Sequence, residues 1–198
     1  MRTVDPVRHA ESRMRILAGA TEAFASKGYA KTTVADLRRS TGVSSGSLFH
    51  YFADKGAIFR GVVEEDRRKV IERLAAIDED EPLAAFWATV DVLIADLGDP
   101  KAAGLTVATL ERIPADHEIA VMLDRYDTAV LDVLAGLAQR LQQAGRMDRS
   151  IPPPRVARWV LGMVDGLYLH CADEGFDATQ EAWFLRLVIS RTFQVREA

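Results

Sequence analysis

The chain has 198 residues, a 48% hydrophobic fraction and a net charge of −4, enough for one large or two small domains with a real core. A single cysteine, Cys171, excludes an intramolecular disulfide and a cysteine-based zinc site and suits a reducing cytoplasm. No apolar run reaches the ~18 residues of a membrane-spanning helix, and the N-terminus lacks the apolar stretch of a signal peptide, so no membrane partner is expected.

The charge is unevenly spread. Residues 1–60 carry +5 and residues 61–198 carry −9. A basic end on an acidic body is the footprint of a protein that docks phosphate at one end. Met1 to about Val7 reads as a loose arm with Arg2 and Arg8. Helix 1 runs from near Val7 to Lys27, with Ile16, Leu17, Ala20, Ala23 and Phe24 on one face. Gly28 suits the position that ends it.

Thr33 caps a short second helix whose apolar face holds Val34 and Leu37. Thr41, Gly42 and Val43 form a connection of the length a helix-turn-helix needs. Ser44 caps the next helix, with Leu48 and Phe52 facing inward at i,i+4 spacing. At about 100° per residue, its outer face carries Gly46, Phe49 and His50, flanked by Ser45, Ser47 and Tyr51. Short side chains allow close approach to a groove, hydroxyls bond base edges or phosphates, and rings touch thymine methyls. Tyr51 and Lys55 are expected to reach phosphates, and the helix N-terminus favours anions.

This stretch resembles the DNA-binding domain of the TetR (tetracycline-repressor-like) family. The matching residues are Gly28 and Tyr29, Thr32 to Val34, Gly42 to Ser44, Gly46 to Phe49, Tyr51, Phe52 and Lys55. The resemblance covers roughly the first third of the chain. It departs at Phe49, where the family usually has Tyr, and at Ser45, where Lys or Arg is common. Together with the outer-face reading above, it makes Thr33, Ser44, Ser45, Gly46, Ser47, Phe49, His50, Tyr51 and Lys55 the expected DNA-contacting set.

Helix 4 is expected from an N-cap at Asp54 to about Ile77, linking a DNA-binding domain over 1–54 to a second domain over 55–198. The acidic tract Asp78–Glu81 and Pro82 mark a boundary and a helix start. Helix 5 follows, helix 6 covers about 100–112, helix 7 about 116–144, helix 8 runs from the Pro152–Pro154 run to about Ala172, and helix 9 spans about 178–193. No strand pattern appears, so the fold is all-α, with about nine helices.

Aromatic and methionine side chains with polar tips suit a small-molecule pocket, and they suit plain core packing as well. Phe86, Trp87, Met122, Tyr126, Met163 and His170 are the expected effector-binding set, a role the resemblance also implies. Helices 8 and 9 are apolar nearly all round and need cover on more than one side. Val160, Val164, Leu167, Trp183, Leu187 and Val188 are therefore expected at a two-fold dimer interface.

The four histidines, His9, His50, His117 and His170, show no metal-ligand spacing and no catalytic partner. No cofactor, metal or enzymatic role is expected. The expected function is a dimeric transcriptional regulator, a repressor that an unknown small molecule releases from a pseudo-palindromic operator in double-stranded DNA. The substitutions at Phe49 and Ser45 leave a second reading, an effector-binding adaptor with a degenerate DNA head.

Overall fold

The computed structural model describes residues 6–196. The arm expected over 1–7 lies, through residue 5, outside the described residues; Pro6 and Val7 already belong to the first helix. Among the described residues there are nine α-helices and no strand: α1 Pro6–Lys31, α2 Val34–Thr41, α3 Ser45–Tyr51, α4 Lys55–Ala75, α5 Pro82–Ile94, α6 Pro100–Arg112, α7 His117–Gln143, α8 Pro153–His170 and α9 Ala178–Thr192. A 3-10 turn over Ile113–Ala115 precedes α7.

Local chemistry sets most of these limits. Gly28 breaks α1 with φ 73°, a conformation that favours glycine. Thr32 then closes the break, its hydroxyl donating to the Gly28 and Ala23 carbonyls at 2.7 and 3.2 Å. Asp54 accepts the Ala57 N–H at 2.7 Å to start α4, and Asp177 accepts from Thr179 and Gln180 to start α9. At α5 the Glu81 carboxylate takes the Leu83 and Ala84 N–H groups ahead of Pro82. These contacts satisfy donors that a helix start leaves open.

The chain forms two compact units. The first takes in the chain up to Arg67 together with Gly104–Ala120; the second takes in Arg68–Ala103 and Val121 onward. The first unit buries Ile16, Leu17, Phe24, Leu37, Leu48, Ile58, Phe59 and Ile119. Its helices cross closely: a Cβ at Gly19 would stand 2.7 Å from the Ser40 carbonyl, and one at Gly104 would stand 2.0 Å from the Ala25 carbonyl.

The second unit has its own apolar cluster, built from Phe86 and Val90 of α5, Leu134 and Leu141 of α7, Val160 and Val164 of α8, and Ile189 and Phe193 around the end of α9. Val160 and Val164 were expected at a dimer interface. They are 0% and 3% exposed within this one chain, so their side chains fill its own core and offer little surface to a second subunit. No helix of the described residues is long and apolar enough to cross a membrane.

Candidate nucleic-acid interface

The helix-turn-helix is assembled from two capped helices. Thr33 caps α2 in a reciprocal pattern: its hydroxyl accepts the Asp36 N–H at 3.2 Å, while Asp36 accepts the Thr33 N–H at 3.0 Å. Lys27 donates to the same carboxylate at 2.5 Å. The Lys27 bond first, then the Thr33 bonds, hold the Asp36 carboxyl far below the ordinary value. Gly42 turns the chain in the left-handed region, φ 71°, and its N–H closes α2 on the Arg38 carbonyl. Ser44 then accepts the Ser47 N–H at 3.1 Å and shares a second bond with the Ser47 hydroxyl.

Leu48 anchors α3 with no exposed surface, and Phe52 is buried beside it. The opposite side of α3 carries Gly46, Phe49 and His50, all exposed, with Phe49 44% accessible. Thr33 and Ser44 are exposed, and Ser45, Ser47 and Tyr51 are half-buried at the flanks. Eight of the nine candidate DNA-contacting residues therefore lie on α3, its cap or the cap of α2.

Lys55 departs from the expectation. Its ammonium points back into the protein, donating to the Tyr29 and Thr32 carbonyls at 3.0 Å each. It also stands 4.3 Å from the Tyr29 ring centroid, as does the Arg112 guanidinium. Burial, and then the Arg112 charge, lower the Lys55 ammonium below the ordinary lysine value. A cation in the first turn of α4 is unfavourable for the helix dipole. The two carbonyls give that cation partners within the protein.

A second charged cluster supports the head from behind. Asp116 is buried and accepts from Arg60 at 3.0 Å, from Arg112 at 3.1 Å and from the Ile119 N–H at 3.4 Å. Burial opposes its ionisation, but the Arg112, Arg60 and backbone bonds outweigh that, and the carboxyl lies below its ordinary value. No sequence signal linked Arg60 to Asp116, 56 positions apart. His9 was also missed as a partner of Tyr51; the ring centroids are 4.6 Å apart.

Residues 16–62 match the family model of bacterial regulatory proteins, tetR family. The transcriptional repressor Rv1474c of Mycobacterium tuberculosis is 31% identical over 180 residues, covering 90% of this chain and 91% of that protein. The chain belongs to the TetR family. Among solved structures, a TetR transcription regulator from Haloarcula marismortui superposes with a TM-score of 0.82 at 16% identity, covering 93% of this chain and 97% of that one. The regulator FadR from Bacillus subtilis, in complex with stearoyl-CoA, gives 0.74 at 19% identity, covering 89% and 96%. This TetR-family chain is thus a transcriptional regulator with a DNA-binding helix-turn-helix.

The residues expected to line an effector pocket do not all converge. Phe86 is core, and Trp87, Tyr126 and Met163 pack against the same cluster in the second unit. Met122 is half-buried. Trp87 lies under the Arg186 guanidinium at 4.8 Å, which itself pairs with Asp91. His170 is exposed and pairs with Asp173 at 2.8 Å, so it lines no interior pocket. An open cleft of about 920 Å³ along α7 and the start of α8, bordered by Asp132, Gly136, Gln139, Arg149 and Pro153, includes none of the six.

At the dimer set the picture divides. Leu167, Leu187 and Val188 are half-buried, and Trp183 is 64% exposed. Trp159 and Phe184 were not assigned to that set; they are 63% and 53% exposed. Trp159 and Trp183 lie on α8 and α9, the two helices that seemed to need cover.

Proposed function

We propose that this regulator is a dimeric repressor that leaves its operator when a small molecule binds. Residues 1–54 read the DNA, and residues 55–198 bind the effector and the second subunit. The observation that carries the reading is the two-sidedness of α3: Leu48 locks one side into the head while Gly46, Phe49 and His50 are exposed on the other. A helix so mounted can enter a major groove, and two related by a dyad meet half-sites about one helical turn, ~34–36 Å, apart. The sense of regulation follows the repressor named among the relatives. The effector role follows the family and the stearoyl-CoA complex of the FadR neighbour. A ligand can weaken DNA binding only through its differential affinity for two states of the protein.

In this reading Ser47 and His50 contact base edges, and Tyr51 and the Ser44 hydroxyl contact phosphates. Selection of duplexes from a random or genomic pool, with and without a metabolite mixture, tests the reading. Enriched sequences with two related half-sites, lost when an active metabolite is present, are expected. Failure to enrich any duplex would favour an adaptor whose head no longer binds DNA.

A further inference from the structure

One face of α1 runs past the end of the reading helix. His9, four residues into α1, is half-buried, and its ring centroid lies 4.6 Å from that of Tyr51 with the planes 41° apart. Four residues on, the Arg13 guanidinium carbon lies 5.3 Å from the Phe52 ring centroid. Four further, Leu17 packs at Gly61 of α4, where a Cβ would come within 2.9 Å of it. His50 completes the group, its ring edge-on to Tyr51 at 5.3 Å and to His9 at 6.4 Å.

Tyr51 is the last residue of a seven-residue helix, and Phe52 is its C-cap. Such a short helix does little to fix the side chain at its own end, since Leu48 is its one fully buried anchor. The ring of Tyr51 needs a neighbour to hold one orientation, and α1 supplies it. Ring pairs with centroids about 4.5–7 Å apart attract beyond simple burial. A side chain ordered before binding loses less freedom when DNA arrives.

We propose that His9 is a positioning residue for DNA binding: its ring holds Tyr51 in the orientation in which the phenol meets the phosphate backbone. This rests on the reading of α3 as the DNA-contacting helix. The contribution is through ring packing, so a ring of another kind at position 9 should serve.

The test uses the full chain and a short duplex that the wild-type protein has itself selected from a random pool, with affinity read by fluorescence anisotropy. His9→Ala should bind about three- to tenfold more weakly, the range set by the worth of one ring pair. His9→Phe should stay within about twofold of wild type, and it keeps the test open should the alanine variant fold poorly. Tyr51→Ala should also weaken binding, and adding His9→Ala to it should bring no further loss, because the two act as one unit. Wild-type affinity in His9→Ala, failure of His9→Phe to rescue, or additive losses in the double variant would each overturn the proposal. A wild-type protein that enriches no duplex would instead overturn the reading of α3, a separate result.

Discussion

Lys55 has three N–H donors, and two end on carbonyls at the close of α1 and the start of α2. Lys55→Ala therefore leaves the Tyr29 and Thr32 carbonyls short of a partner and removes a cation from the Tyr29 ring. A stability loss of about 1–3 kcal/mol is expected by urea denaturation. The salt dependence of binding to random-sequence DNA should keep its slope if the ammonium stays on these carbonyls and neutralises no phosphate. A slope reduced by about one would restore Lys55 to the interface. Asp116 gives a second prediction. Its folded carboxyl lies below the ordinary value of about 3.9, so its ion pairs stabilise the protein fully above that value and fade as pH falls through the lower, folded one. Asp116→Asn should lose about 2–3 kcal/mol at pH 7 by leaving Arg60 and Arg112 under-partnered. The gap in melting temperature between variant and wild type should narrow below about pH 4. A gap that stays constant into acid would remove Asp116 from the ionic account. The sequence showed Lys55 as a cation in the first turn of α4, and it is there. It could not show where the ammonium points, since that depends on carbonyls 23 and 26 residues away.

At the scale of the element, the starts and stops of helices were written locally. Thr33, Ser44, Asp54 and Asp177 each accept backbone N–H groups within three residues, and Gly28 and Gly42 each adopt positive φ. Such signals depend on the nearest turn alone, so the starts of α2, α3, α4 and α5 were legible to the residue, whereas α4, expected to about Ile77, ends at Ala75. What α6 packs against was not. Its Gly104 reads as an ordinary helix-interior glycine, which by propensity alone would gain from alanine. In the fold, its missing side chain is the space that the Ala25 carbonyl of α1 occupies. Gly104→Ala puts a methyl 2.0 Å from a backbone oxygen; backbone cannot swing aside as a flexible side chain can. A loss of about 2–3 kcal/mol is expected. Gly136→Ala in α7 is the matched control. Nothing lies within 4 Å of its Cβ position, so it should gain about 0.5–1 kcal/mol from lower backbone entropy in the unfolded chain. Thermal melts of the pair decide the matter, since equal shifts would mean that α6 does not approach α1 so closely.

For the whole molecule, the proposed dimer needs a face on α8 and α9 that a second subunit could cover. Apolar periodicity showed that both helices have more apolar surface than one core can hide, but not which residues face which way. Within the chain, Val160 and Val164 are in the core, while Trp159, Trp183 and Phe184 expose more than half of their surface. Large exposed rings on two helices of the same unit suit a protein–protein contact, and aromatic residues supply much of the energy in such contacts. A stable interface buries about 1,200–2,000 Å² in total, so in the proposed dimer the rings would be joined by further residues, with the half-buried Leu167, Leu187 and Val188 as candidates. The two classes of residue therefore predict opposite phenotypes. Trp183→Glu places a charge on the outer face, where a monomer solvates it freely and a dimer cannot. It should leave the circular dichroism and melting of the chain near wild type while shifting sedimentation from dimer to monomer. Operator affinity should fall steeply, because one head must then bind without its tethered partner. Val160→Glu buries an unpaired carboxylate in the core and should unfold or aggregate the chain instead. A Trp183→Glu variant that sediments as wild type would move the interface off this face, and the dyad that sets the half-site spacing would have to be sought on other helices.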